Sequence, residues 1–258
     1  MRKGNKFGVL LVLLVFFYSC ANDNNGTAKL LAKLVETTED STKMTTVFTY
    51  KGNEIVSTDN SKLHIDYTYN DGLITKIVAT KKSDQSIVTT NYTYNKGKLI
   101  SFKSSDRNIV NFSHNTDGSI SYEGFAIDAT DKQTKKFHGI MSFKKGNLIK
   151  DSKTLDDSPA GVVSLDSFSY EYDSKKNPFH IILGFDKLLN QHQFVSINNS
   201  VISIVENNTT TTADDQTISS AKFHKSIFKY DDGNYPTEQI TENAMGNLGY
   251  LKTQYFYE

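Results

Sequence analysis

The sequence predicts an all-β fold: an antiparallel meander of repeated hairpins that closes into a barrel or a strongly curved sheet. Three observations carry this. A short aromatic–turn–aliphatic unit recurs along the chain. Apolar and polar residues alternate between its turns. The composition, with 14 Tyr, 16 Phe and no Trp in 258 residues, favours the pleated, half-buried surfaces of strands.

The unit reads aromatic, any residue, aromatic, a polar turn usually holding Gly, then an aliphatic restart. Its clearest copies are Phe48-Thr49-Tyr50-Lys51-Gly52-Asn53-Glu54-Ile55, Tyr67-Thr68-Tyr69-Asn70-Asp71-Gly72-Leu73-Ile74 and Tyr92-Thr93-Tyr94-Asn95-Lys96-Gly97-Lys98-Leu99. Weaker copies begin at Phe112, Met141, Tyr170 and Phe228. The second aromatic position therefore falls at 50, 69, 94, 114, 143, 172 and 230, the fourth place being held by His114. The last gap, 58, is twice the 29 before it, and Phe194 to Val205 is the candidate for a degenerate copy inside it, with Asn198-Asn199-Ser200 as its turn.

Two aromatics separated by one residue share a strand face, because side chains alternate. Asn-Asp-Gly and Asn-Lys-Gly supply the residues that tolerate positive φ in tight hairpin turns. Gly72, Gly97 and Gly233 are the turn-defining positions, where a β-branched replacement should strain the hairpin. Between turns, Leu63, Ile65, Tyr67 and Tyr69 form one row and His64, Asp66 and Thr68 the opposite one. That is the pattern of a sheet with one apolar and one wet face.

The remaining segments read as interruptions. Lys29 to Glu36 is a short helix or a first strand, and Leu183 to Gln193 a helical insert. Asn207 to Gln216 and Asp151 to Gly161 read as surface loops. With no composition break, residues 29–258 form one domain.

The amino terminus is a processing signal. Arg2, Lys3 and Lys6 precede an apolar run from Phe7 to Phe17, which ends in Phe17-Tyr18-Ser19-Cys20 and a polar stretch. Cys20 is the sole cysteine, so no intrachain disulfide forms. Its setting resembles a bacterial lipobox, although Phe17 and Tyr18 depart from the commoner Leu and small residues. The resemblance implies a signal peptide over 1–19, cleavage before Cys20, acylation of Cys20 and a flexible tether over 20–28. Two or three acyl chains would anchor the chain to the outer membrane, on its periplasmic or surface side. The alternative is an ordinary secretory signal with Cys20 a bystander.

The hairpin unit loosely resembles the tyrosine-aspartate, Rhs-type repeats of large bacterial shell proteins. The order of the Tyr-Thr-Tyr-Asn-x-Gly copies, Asn177-Pro178-Phe179, Leu183-Gly184-Phe185 and Tyr230-Asp231-Asp232-Gly233-Asn234-Tyr235-Pro236 is more closely similar to a family of Bacteroidetes lipoproteins with a porin-like fold and no assigned activity. That resemblance implies an anchored, many-stranded barrel and brings no chemistry. A barrel also removes the exposed edges of a meander. A membrane-spanning wall fits less well, because lipid-facing strands need ~9–11 residues of alternating apolarity and the outer rows here carry Lys, Asp and Thr.

Chemistry is sparse. Lys plus Arg equals Asp plus Glu at 29, so there is no basic surplus for nucleic acid. His64, His114, His138, His180, His192 and His224 are scattered singly, outside metal-ligand spacings. The pairs Asp156-Asp157, Asp214-Asp215 and Asp231-Asp232 read as solvated or turn carboxylates. No cofactor or metal motif is present, and a non-enzymatic role is expected. The main reading is an envelope module that binds a glycan or protein, or serves structurally. The alternative is a carrier of an apolar ligand inside the barrel. A hydrolase ranks below both, and would need His with Asp, or two carboxylates, brought together at one mouth.

Overall fold

The computed structural model describes residues 29–243 and 250–258. The signal, Cys20 and the tether lie outside the described residues. β1 (Leu31–Thr38), β2 (Lys43–Lys51), β3 (Glu54–Asp59), β4 (Leu63–Asn70) and β5 (Leu73–Lys81) open the meander. β6 (Ile87–Asn95), β7 (Lys98–Ser104), β8 (Asn108–His114), β9 (Ile120–Ile127) and β10 (Gln133–Lys144) continue it. β11 (Asn147–Leu155), β12 (Val162–Lys176), β13 (Asn198–Thr211), β14 (Thr217–Tyr230), β15 (Pro236–Asn243) and β16 (Tyr250–Tyr257) complete it. Each strand pairs antiparallel with its neighbours in sequence, and β1 pairs with β16, so the sixteen strands close into a barrel. Closure gives each of the described strands a partner on both sides.

One end of the barrel is built from the repeated turns. Asp71 and Gly72 (φ 51 and 73) and Lys96 and Gly97 (φ 49 and 74) are successive left-handed pairs. Two such residues make the tight turn whose twist matches that of its flanking strands. In the β14–β15 turn, Gly233 is not the left-handed residue; Asn234 holds that place at φ 63. The reason is local. Asp231 Oδ1 accepts from the Gly233 and Tyr235 N–H groups, both at 2.9 Å, and this Asp-capped loop reverses one residue later.

The register slips at the second aromatic of the repeat. Bulges fall between Thr49 and Tyr50, Thr68 and Tyr69, and Thr93 and Tyr94. They fix the inward row: Tyr67 pairs with Ile77, and Tyr92 with Phe102, all partly or fully buried.

The core sits at this turn end. The aliphatic restarts Ile55, Ile74, Leu99 and Leu148, with Leu31, are at most 1% exposed and form a ring just inside the turns. Residues 177–197, between β12 and β13, fill that ring in place of a hairpin turn. They include a 3-10 turn at Phe185–Lys187 and one helical turn at His192–Val195. Ile182, Phe185 and Leu188 are buried within the ring, and Phe185 stacks on Phe194 at 4.4 Å and meets Tyr67 at 5.5 Å. A sixteen-strand barrel is too wide for its own wall side chains to fill, so a plug of chain supplies the missing core.

Three sequence readings are corrected here. Asn198-Asn199-Ser200 lies within β13, so Phe194 to Val205 is insert followed by strand rather than a hairpin copy. The loop expected over Asn207 to Gln216 is strand to Thr211, and Asp151 to Leu155 belongs to β11. These polar strands lack an apolar alternation because their inward side chains bond one another. Asn207 donates to Asp166 at 2.7 Å, and Lys153 meets the same carboxylate at 2.8 Å.

Candidate functional site

The inner wall has two characters. From β6 to β10 it is an aromatic ladder, Tyr92–Phe102–Phe112–Tyr122–Phe137, with ring centroids 5.9 to 6.2 Å apart. Gly124 faces Phe137 and Gly139 faces Tyr122 across the β9–β10 pair, and each ring occupies the space of the absent Cβ. From β13 to β15 the inward row is hydroxyl, amide and imidazole: Ser203, His224, Ser226, Gln239 and Thr241.

Between this polar wall and the insert lies a cavity of about 290 Å³, which the insert lines with His192, Gln193 and Ser196 and β12 with Tyr170 and Tyr172. Among the described residues, no Lys, Arg, Asp or Glu lines it. Its polar wall is partly self-satisfied. Gln239 Nε2 donates to Ser226 Oγ at 3.1 Å and Thr241 Oγ1 at 2.9 Å, and those two hydroxyls lie 2.9 Å apart.

Behind the cavity the insert is tied to the wall through a buried carboxylate. Asp151 is 4% exposed; it accepts from the Tyr122 hydroxyl at 2.7 Å and lies 3.1 Å from His192 Nε2. His192 Nδ1 lies 2.9 Å from the Tyr170 hydroxyl. In the neutral imidazole a carboxylate at Nε2 places the ring proton there, so Nδ1 accepts and Tyr170 donates. Burial pushes the Tyr170 phenol above its ordinary range, and does the same to Tyr122 with help from the Asp151 hydrogen bond. A second tie comes from Tyr172, whose hydroxyl donates to the Leu148 carbonyl at 2.5 Å and accepts from Ser196 at 2.9 Å.

A separate recess of about 450 Å³ has a floor of Val88, Phe102, Val110 and Phe137, with Asp106 and Lys136 at its rim. Lys136 pairs there with Asp157 at 3.2 Å.

The residues singled out in the sequence are dispersed. A Cβ at Gly72 would lie 3.9 Å from Leu183 Cδ2 of the insert, while one at Gly97 would face open space. His64 bonds Asp59 at 2.8 Å, which raises its pKa, and lies 3.2 Å from Asp66. His138 pairs with Asp156 at 2.9 Å, His114 donates to the Leu99 carbonyl at 2.8 Å, and burial lowers the pKa of His180 in the insert. The group that sequence reasoning missed is Asp151–His192–Tyr170. Its members are 41 residues apart at most, and Asp151 was read as loop and His192 as an isolated ring. The signal that could have found it was the 58-residue gap in the repeat.

No protein-family model matches the chain, and no curated protein does. Among solved structures, a porin-like protein from Bacteroides uniformis ATCC 8492 is similar at a TM-score of 0.42 and 12% identity, covering 88% of this chain and 98% of its own.

Proposed function

We propose that this chain is an exported, lipid-anchored envelope barrel that binds a small polar ligand in the cavity between its insert and its polar inner wall, without catalysing a reaction on it. The observation that supports this most is the lining of that cavity. A barrel interior that served only as core would be apolar, whereas Ser203, His224, Gln239 and Thr241 point inward around about 290 Å³ of space. Polar groups in a recess fix the orientation and identity of a ligand, and this volume suits a small one.

The anchor reading draws on Cys20 and on the outer wall. Asp66, Lys76, Lys103, Glu123, Lys150 and Lys225 face outward by register along the strands. A lipid-facing wall would lose roughly 2–4 kcal/mol for each such lysine near the bilayer midplane. An acyl chain on Cys20 reconciles that wall with a membrane address.

The Asp151–His192–Tyr170 group gives the hydrolase reading its one foothold, since a carboxylate and an imidazole do meet behind the cavity. Base activation requires a phenol that gives up its proton readily, and burial acts on Tyr170 in the opposite sense. The group is better suited to holding the insert. An apolar cargo would find its surface in the recess over Phe102 and Phe137, but the larger share of polar wall faces the cavity beside the insert.

Two measurements test the proposal. Metabolic labelling with radioactive palmitate should mark the full chain and fail to mark Cys20→Ala; equal labelling of both would remove the anchor. Native mass spectrometry of the purified protein should show a bound small molecule that Ser203→Trp, which fills the cavity, excludes. A ligand retained in that variant would place binding elsewhere.

A further inference from the structure

The hydrogen-bonding capacity left over in this cavity narrows what it can hold. His192 has both ring nitrogens committed, to Asp151 at 3.1 Å and to Tyr170 at 2.9 Å. Tyr170 spends its one proton on Nδ1, so its oxygen is left with lone pairs and can only accept. Asn177 is committed as well, its amide nitrogen donating to the Gln193 and Ser196 carbonyls, both at 2.8 Å. Of the paired Ser226 and Thr241 hydroxyls, one donates to the other, which leaves a single O–H free to turn outward. What remains is the Gln193 amide and a sparse set of hydroxyl, imidazole and phenol groups, bordered by the rings of Tyr170 and Tyr172, whose centroids lie 6.3 Å apart.

We infer that the cavity holds a neutral, hydroxyl-rich molecule the size of a single sugar ring, oriented by a hydroxyl that donates to Tyr170 Oη. This rests on the cavity being the ligand site. Charge argues for neutrality: no Lys, Arg, Asp or Glu among the described residues lines the space, and a buried charge without a partner is costly. The fixed acceptor argues for a donor on the ligand, because a ligand presenting only acceptors would leave lone pair facing lone pair. Tyrosine rings beside hydroxyl donors and acceptors match the two faces of a sugar, one of C–H groups and one of hydroxyls. The volume of about 290 Å³ lies at the small end of ligand sites and suits a single ring.

The test is saturation-transfer NMR with the purified full chain in a zwitterionic detergent. The probes are glucose, galactose and myo-inositol, against glucuronate and glucosamine as charged matches. A neutral probe should bind, the charged ones should bind at least about tenfold more weakly, and Tyr170→Phe should lose about tenfold, the loss that removing one partner of a buried hydrogen bond brings. Tyr69→Phe serves as the control. Tyr69 donates to the insert at the Leu183 carbonyl, 2.8 Å away, without lining the cavity. If Tyr69→Phe weakens binding as much as Tyr170→Phe, the effect runs through the insert and the acceptor role falls. Equal or tighter binding of glucuronate or glucosamine, or no transfer from any neutral probe, overturns the ligand class. Neutral probes that still bind Ser203→Trp overturn the cavity itself, and with it the reading on which this inference rests.

Discussion

The Tyr94 hydroxyl donates to the Ile74 carbonyl at 2.8 Å, and the same bond recurs around the barrel. Tyr50 reaches Leu31 at 2.9 Å, Tyr172 reaches Leu148 at 2.5 Å, and Tyr257 reaches Pro236 at 2.7 Å. In each case a tyrosine near the end of one strand crosses to the backbone at the start of another, just past a hairpin turn for Ile74, Leu148 and Pro236 and at the head of β1 for Leu31. Each accepting residue sits at a bulge in its own strand pair, Ile74 opposite Tyr69, Leu148 opposite Phe143, Pro236 opposite Tyr230 and Leu31 opposite Tyr257, and the bulge opens the ladder there, leaving a carbonyl for the side chain to satisfy. The repeat therefore encodes a pin between successive hairpins, and its aromatic signature is structural.

Removing one pin has a defined cost. Tyr94→Phe keeps the ring and strands the Ile74 carbonyl, so it should lower stability by about 1 kcal/mol, or roughly 2–4 °C in Tm. Tyr69 departs from the pattern, accepting from the Ile55 N–H at 3.3 Å while donating to Leu183 of the insert. Tyr69→Phe removes both bonds and should cost more than Tyr94→Phe. Thermal unfolding of the two variants compares them directly, and equal losses would deny the insert its share.

The pins also predict an alkaline limit. Burial raises the phenols of Tyr50, Tyr69 and Tyr94 well above 10.0, and takes Tyr67 and Tyr172 to about 12. A folded pKa above the unfolded one favours the protonated phenol in the barrel. Stability is therefore intact below pH 10.0 and falls as pH climbs through the raised values. Ultraviolet titration should show a set of tyrosines that ionise late, together with the loss of near-UV circular dichroism. Ordinary ionisation near 10 with the fold intact would contradict the pins.

Turn chemistry separates two kinds of glycine. Gly97 has φ 74 and a Cβ there meets no neighbour, so the cost of Gly97→Val is set by backbone strain, about 1–2 kcal/mol. Gly233 lies outside the left-handed region, and a Cβ there meets Asp231 Oδ1 at 3.2 Å and Tyr235 Cδ2 at 3.3 Å. Gly233→Ala should cost less than Gly97→Val, by urea denaturation, and Asn234→Val should behave like Gly97→Val.

How far the sequence could be read follows from which forces are local. The Tyr-Thr-Tyr-Asn-x-Gly copies made both turn and strand visible, because alternation and positive φ are properties of a few adjacent residues. Closure was visible only as one of two outcomes, since the pairing of Leu34 with Tyr255 joins residues that no local pattern links. The polar strand Asn207–Thr211 was read as loop for the same reason. Its partners Asp166 and Thr217 lie on other strands, and their bonds to it supply what an apolar row would have signalled. The cavity was out of reach, because His192 gains its meaning only when the insert folds back against Asp151.

Acid should loosen the hairpin connections. Hydroxyl hydrogen bonds from Thr38, Ser86, Ser119, Thr130 and Thr211 hold the carboxyls of Asp40, Asp84, Asp117, Asp128 and Asp214 below their ordinary 3.8. A depressed folded pKa contributes stability above the unfolded value, which is lost as pH falls through the folded one. Tm should be level above about pH 4 and drop below 3.8, and Asp128→Asn should flatten part of that drop while lowering the plateau. A Tm unchanged down to pH 2 would show that these caps contribute nothing.

The aromatic ladder turns on two residues that have no side chain. A Cβ at Gly124 would stand inside the Phe137 ring, and one at Gly139 would meet the Tyr122 ring and lie 2.6 Å from the Ser152 carbonyl. Each glycine lets a ring lie against the wall, so Tyr122 stays close enough to hold Asp151. Gly124→Ala should therefore cost about 1–3 kcal/mol by overpacking. Phe137→Leu alone should also destabilise, by leaving space, while the two together should cost less than their sum because the smaller side chain vacates what the new methyl needs. A double-mutant cycle by urea denaturation measures that coupling. Strict additivity would mean that Phe137 does not pack on Gly124, and that the ladder is held by its ring-to-ring contacts alone.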